Sequence, residues 1–229
     1  QTAILSAVYE GVQVPIDAAL RIEARYFTKV VMDPRSQNMV RSLFVNMQAL
    51  SKGARRPKDF DKYDVKKIGI LGAGLMGAGI AYVTAKAGIE VVLIDMDQAA
   101  AEKGKEYSTK ILDKQLSKKK TTEEKKEKLL SLITPTTDYS LLKGADLIVE
   151  AVFENRDIKA DVTAKAEAQI SETAVFGSNT STLPITGLAQ NSSRPANFIG
   201  IHYFSPVERM PLVEIIMGQE TSQETLAKT

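Results

Sequence analysis

The segment Gly72-Ala73-Gly74-Leu75-Met76-Gly77 follows directly on a short apolar run, KKIGIL (66–71), and opens a helix-compatible stretch, LMGAGIAYVTAKAG. A strand that turns through glycines into a helix constrains this chain more than any other feature of it. Gly72 allows the tight turn, Gly74 leaves bare backbone facing a bound group, and Gly77 lets helix and strand pack closely. The start of the helix offers unpaired amides and partial positive charge, which suit phosphate. The next apolar run, VVLID, closes on Asp95, 18 residues after Gly77. A carboxylate there accepts hydrogen bonds from ribose hydroxyls and repels a 2′-phosphate. Together these predict a dinucleotide site that prefers NAD to NADP. A glycine-rich turn without a ligand is the plainer alternative.

Further apolar runs occur at 146–152, 174–178, 197–202 and 212–217. Runs of this length, separated by helical stretches, predict strands buried on both faces of a mostly parallel sheet. The fold class expected is therefore α/β, a Rossmann-type doubly wound sheet preceded by a helical segment. Between the second and third runs lies a lysine-rich stretch, Gln98 to Leu132, in which Thr121-Thr122-Glu123-Glu124 has the pattern of a helix start. It reads as a helical hairpin with solvated lysines. Its interleaved acidic residues and the lack of a run of aromatics argue against nucleic-acid binding.

Residues 1–60 read as helices: ILSAVYEGVQ, broken at Pro15; IDAALRIEARYFTKVVM, stopped at Asp33-Pro34; and SQNMVRSLFVNMQALSKG, ending near Gly53. This segment carries nine Lys and Arg against five Asp and Glu, a net +4, as a solvated face or as a patch that meets an anionic ligand or partner. RRPKDFDKYD (55–64) reads as a linker, so the expected division is 1–60 and 61–229. The chain starts on Gln1 without a signal-like core and stops just after TSQETLAK, which has the pattern of the opening turns of a helix. It is expected to be a piece of a longer protein.

Composition removes several function classes. Without cysteine there is no disulfide scaffold, thiolate zinc site or cysteine nucleophile. With His202 as the one histidine there is no polyhistidine metal site, and no metal is expected. No apolar run approaches the roughly 20 residues of a membrane span. A net charge of +2 gives no argument for nucleic acid.

A second constellation lies in 146–217. Ser178-Asn179-Thr180-Ser181 ends one apolar run, His202 ends another, and Glu214 lies in a third. Open sheets of this class bind ligands beyond the carboxyl ends of their strands. An imidazole can take a hydroxyl proton near neutral pH, a carboxylate behind it can fix its tautomer, and a serine can hold a substrate oxygen. Taken singly, the histidine reads equally as a structural residue and Glu214 as a surface carboxylate. Spacing alone does not bring them together.

GILGAGLMGAGIAYVTAKAGIEVVLIDMD, DLIVEAVFENRDIK, SNTSTLPIT and GIHYFSPVERMPLVEII together resemble 3-hydroxyacyl-CoA dehydrogenase. ALRIEARYFTKVV and RSLF resemble the segment that precedes that domain in the multifunctional α subunit of the fatty acid oxidation complex, where the chain leaves the enoyl-CoA hydratase half. The resemblance covers nearly the whole chain. It implies His202 as the catalytic histidine, Glu214 as its partner and Ser181 as the serine that helps hold the substrate. It implies cofactor contacts at Gly72, Gly74, Met76, Gly77, Asp95, Val152, Phe153, Glu154, Lys159, Asn179, Ser181 and Ser205, with the Lys159 ammonium reaching ribose or phosphate.

It further implies NAD as cofactor, a 3-hydroxyacyl-CoA as substrate, the hydratase domain of the parent chain and a thiolase subunit as partners, and a cytoplasmic setting. Ser205 stands where the family often has an asparagine that contacts the cofactor, so that contact is expected to be weaker. The family's C-terminal helical domain, with an active-site asparagine and part of the acyl-CoA pocket, is not in this sequence. The chain is therefore expected to bind NAD but to turn over acyl-CoA poorly or not at all. Rival readings are a 2-hydroxy acid or 6-phosphogluconate type dehydrogenase of the same architecture, and a non-catalytic NAD-binding module.

Overall fold

A computed structural model describes all 229 residues, which divide into two compact units, Gln1–Arg56 and Pro57–Thr229. The first unit is helical. Helices α1 (Thr2–Gly11) and α2 (Ile16–Val31) are joined through Pro15, and Glu10 accepts hydrogen bonds from the Arg25 guanidinium (2.7 Å) and the Tyr26 hydroxyl. Asp33-Pro34 both stops α2 and starts the next helix. The Asp33 carboxylate accepts from Arg35 N at 2.9 Å, and Pro34 takes the first helical position, where its missing N–H costs nothing. The path continues through α3 (Pro34–Val40), a π-helical turn (Arg41–Asn46) and α4 (Met47–Ser51). Within this unit Ile4, Leu20, Phe27 and Phe44 remain more than half exposed.

The second unit is a seven-stranded sheet flanked by helices. Its elements in chain order are β1 (Lys67–Leu71), α5 (Leu75–Lys86), β2 (Glu90–Ile94), α6 (Gln98–Ser117), α7 (Glu123–Ser131), β3 (Ile133–Thr136), β4 (Leu147–Glu150), α8 (Arg156–Glu167), β5 (Val175–Ser178), α9 (Ile185–Ala189), β6 (Phe198–Tyr203), β7 (Val213–Met217) and α10 (Gln223–Lys228). Strand order is β3-β2-β1-β4-β5-β6-β7; all neighbours run parallel except β6 and β7. This is the mostly parallel, Rossmann-like sheet that the apolar runs predict.

Alternation along each strand feeds two cores. Ile68 and Ile70 of β1, with Val91 and Leu93 of β2, pack against Ile80, Ala81 and Ala85 of α5. Leu71, Val92, Ile94, Ile148, Phe176 and Phe198 face the other way, onto Val162 and Ala166 of α8. Phe176 and Phe198 stack there with ring centroids 5.3 Å apart. With both faces covered, the strands are apolar throughout rather than alternating with polar residues.

One strand is absent from the sequence reading. ITPT (133–136) pairs in parallel with β2, from Val91↔Ile133 to Ile94↔Thr136. Two threonines and Pro135 hide it from an apolar-run criterion. The proline is tolerated because β3 is an edge strand, where a missing amide breaks no ladder. Asp97 and Thr122 cap α6 and α7, accepting from Ala100 N (2.8 Å) and Lys125 N (3.3 Å). No helix is long and apolar enough to cross a membrane.

Candidate active site

The glycine turn, Asp95, Asn179, Ser181 and His202 follow or end the parallel strands at their carboxyl ends, and the antiparallel β7 brings Glu214 to them. Gly72 leaves β1 with φ +93°, where a β-carbon would also lie 2.6 Å from Ala151 O. Its amide donates to Ile94 O at 2.8 Å, which ties the turn to the end of β2. A β-carbon on Gly77 would lie 1.8 Å from Gly72 O, so the helix starts in direct contact with the turn. Gly74 is different. It is the N-cap of α5, with no side-chain cap, and a β-carbon there would meet nothing within 4 Å. The first-turn amides of α5 lack intrahelical partners by geometry, and they open on space that no protein atom fills. That arrangement fits a dinucleotide pyrophosphate.

Asp95 lies one residue beyond the Leu71↔Ile94 pair, beside the turn. Its two oxygens accept from Ala73 N (2.6 Å) and Met96 N (2.7 Å). A carboxylate has about four acceptor sites, so roughly two remain for ribose hydroxyls while the other two fix the glycine turn. A cleft of about 390 Å³ opens here, lined by Ala73, Gly74, Asp95, Lys103, Tyr107 and Lys110. Tyr107 donates to Glu208 at 2.8 Å, and its hydroxyl is pushed up to about 12 by burial and that carboxylate.

A second cleft, of about 350 Å³, is lined by residues that include Met76, Val152, Glu154, Asn179, Ser181, His202 and Ser205. The antiparallel register places His202 directly opposite Glu214. The His202 Nδ1 to Glu214 Oε2 distance is 2.8 Å, so the carboxylate favours a proton on Nδ1 and leaves Nε2 as the available base. The histidine side chain is 19% exposed and tilts against the Phe204 ring, 4.5 Å away. Asn179 Oδ1 accepts from Tyr203 N at 2.8 Å, which pins the end of β6 to the turn after β5.

Glu154 joins the remaining pieces. Its Oε1 accepts from the Thr180 hydroxyl and from Ser181 N (3.2 Å), and its Oε2 lies 3.0 Å from Lys159 Nζ. Burial works against its charge, but the Thr180 hydroxyl and the Lys159 ammonium prevail and hold the carboxyl at about 2. The Lys159 ammonium, expected to reach ribose or phosphate, points inward instead. It is 3% exposed and donates to Glu150 Oε1 (2.8 Å) and Oε2 (3.0 Å). An ammonium taken out of water needs a carboxylate partner, and Glu150 supplies it. Val152 N also donates to Glu150, while Phe153 is exposed. Ser205 is exposed next to Pro206.

Sequence reasoning missed Glu150 and the cleft residues Lys103 and Tyr107, and it named Ser178 and Thr180 without the carboxylates they meet. A signal existed for Glu150: it is a carboxylate ending an apolar run, nine residues before a lysine. Lys103 and Tyr107 sit in a stretch whose many lysines mask any one of them.

Residues 67–229 match the family model described as 3-hydroxyacyl-CoA dehydrogenase, NAD binding domain. Over 215 residues, 93% of this chain, the sequence is 43% identical to the fatty acid oxidation complex subunit alpha of Pseudomonas syringae pv. syringae (strain B728a), and it spans 29% of that protein's length. Among solved structures, (S)-3-hydroxybutyryl-CoA dehydrogenase PaaH1 from Ralstonia eutropha aligns with TM-score 0.69 at 41% identity, covering 72% of this chain and 58% of that one. FadB2 of M. tuberculosis aligns with TM-score 0.69 at 35% identity, covering 73% and 59%.

Proposed function

The chain belongs to the 3-hydroxyacyl-CoA dehydrogenase family, whose NAD-binding domain it carries, and on that premise we propose that it serves the NAD-dependent oxidation of (S)-3-hydroxyacyl-CoA to 3-oxoacyl-CoA. The observation that carries the reading is the His202–Glu214 pair, 2.8 Å apart and facing the cleft that also holds Asn179 and Ser181. Binding a dinucleotide requires neither the histidine nor its carboxylate, so their convergence beside Ser181 supports catalysis rather than binding alone.

When bound, oxidised NAD supplies a hydride acceptor for the hydrogen on C3. His202 Nε2 takes the proton from the 3-hydroxyl as its O–H electrons form the carbonyl. Glu214 holds the ring in the required tautomer and stabilises the imidazolium. Ser181 donates to the substrate oxygen and orients it. The amides at the start of α5 hold the pyrophosphate, Asp95 holds the adenosine ribose, and Met76, Val152 and Asn179 line the nicotinamide side. Ser205, a short side chain, adds little to that contact.

This chain alone is proposed to bind NAD and to turn over acyl-CoA poorly, because positioning supplies much of the barrier reduction and the chain spans 29% of the length of its fatty acid oxidation relative. In a longer protein the first unit would pack on a hydratase domain, and a thiolase subunit would take the 3-oxoacyl product, in the cytoplasm. Calorimetric titration of the 229-residue chain with NAD, and NADH oxidation with acetoacetyl-CoA by the longer enzyme, test the two halves. NAD binding by this chain and turnover by the longer enzyme are expected; a folded chain that ignores millimolar NAD refutes the binding, an inert longer enzyme refutes the reaction, and robust turnover by the 229-residue chain refutes its expected poor activity.

A further inference from the structure

The carboxyl end of β4 holds a buried ionic chain that the reaction itself does not use. Glu150 is 1% exposed, and its carboxylate accepts four hydrogen bonds from three groups: Val152 N (2.8 Å), Ser178 Oγ (2.7 Å) and, at both oxygens, Lys159 Nζ (2.8 and 3.0 Å). Lys159 in turn reaches Glu154 at 3.0 Å. Glu154 then receives the Thr180 hydroxyl, Ser181 N at 3.2 Å and Thr182 N at 3.4 Å. Two carboxylates share one ammonium, with the wholly buried one behind it and the partly exposed one facing the cleft.

Solvation explains why the order matters. A lone Lys159–Glu154 pair would hold its ammonium in water-poor surroundings with one oxygen for three N–H groups. Such an ammonium is drawn toward solvent or loses its proton. Glu150 fills the remaining demand and fixes the ammonium in one place. Ser178 and Val152 N in turn hold Glu150 against rotation, because a fully satisfied carboxylate in a low-dielectric site has no alternative partners. The result is a rigid strut from β4 through α8 to the turn that carries Ser181. That turn has no other charged support.

We propose that Glu150 is a positioning residue: through Lys159 it fixes Glu154, and through Glu154 it sets the turn Thr180–Thr182 and with it the Ser181 hydroxyl in the cofactor and substrate cleft. The assignment rests on the role of that cleft proposed above. It differs from a stability role, since replacing a buried ion pair by apolar residues of similar volume is often neutral or stabilising, whereas the strut would still be lost.

The test uses the 229-residue chain as Glu150→Gln and as the paired Glu150→Met/Lys159→Met, in which packing volume is kept and the one charge left unpaired, Glu154, is partly exposed to water. Amide hydrogen exchange is followed at Ser181 and Thr182, with Ile80 and Ala81 inside α5 as reference, and NAD affinity is measured by calorimetry. Losing a charge-assisted bond should speed exchange at Ser181 and Thr182 and weaken NAD by about tenfold each, while Ile80 and Ala81 keep their rates. In the paired variant the melting temperature should stay near that of the parent chain with the exchange defect still present. Unchanged exchange at Ser181 and Thr182, or acceleration spread equally over α5, overturns the assignment. Failure of the unmodified chain to bind NAD would instead refute the proposed function, and exchange at the turn would still decide the strut.

Discussion

Two glycines three residues apart should answer substitution in opposite ways. A β-carbon on Gly77 would lie 1.8 Å from Gly72 O and 3.3 Å from Ile70 Cγ2. The closer atom is backbone in a turn fixed at both ends, so no side chain can swing aside. Forcing a methyl into such a contact costs about 3 kcal/mol, the upper part of the usual over-packing range. For a domain of this size that lowers the melting temperature by roughly 6–12 °C. Gly74 has φ −65° and ψ −170°, which any residue adopts, and open space around it. Gly74→Val therefore costs at most about 1 kcal/mol, the difference between a glycine and an apolar N-cap. Its branched side chain would instead stand where bare amides meet the pyrophosphate. Losing two charge-assisted hydrogen bonds is worth about 3 kcal/mol, a weakening of NAD on the order of 100-fold. Thermal melts followed by circular dichroism, paired with NAD titrations of the same samples, read both quantities. Gly74→Val that binds NAD normally, or that melts as early as Gly77→Ala, refutes the cradle; Gly77→Ala that melts with the parent chain refutes the close-contact argument.

Other expectations can be checked separately. In the longer enzyme His202→Ala should lower turnover by about 10²–10⁴ in an NADH-linked assay, and Glu214→Gln should lower it too by leaving the imidazolium unstabilised; near-normal rates in either would remove the pair from the mechanism. The Glu154 carboxyl sits at about 2 against an ordinary 4.5, so the stability it brings is complete above about pH 4.5 and is lost as pH falls toward 2. Urea unfolding of Glu154→Gln should accordingly differ from the parent chain at neutral pH and converge with it near pH 2. Asn155 caps α8 by accepting from Asp157 N (2.9 Å) and Ile158 N (3.1 Å), so Asn155→Ala should cost about 1 kcal/mol in urea, and an unchanged midpoint would show that the cap carries no load.

The two clefts are electrostatically unlike. The first combines Asp95 with Lys103 and Lys110, a mixed surface at the adenosine end. The second presents Glu154 and His202.

Local chemistry wrote much of this molecule into its sequence. The glycine turn, Asp95, the doubly covered strands, the helix stop at Asp33-Pro34 and the helix start at Thr122 depend on neighbours within a few residues, so the order of residue types is enough to predict them. An edge strand such as ITPT was not legible, because Pro135 is acceptable only where a missing amide breaks no ladder, and edge position is a property of the whole sheet. His202 and Glu214 were legible as candidates, but their meeting was not. It follows from β7 running antiparallel to β6 in one register, and a slip of one residue would turn Glu214 to the opposite face. The inward turn of Lys159 was equally hidden. A lysine on a helix normally extends into water, and only the buried carboxylate of Glu150, brought across from β4 by tertiary packing, makes the interior the lower-energy place for its charge.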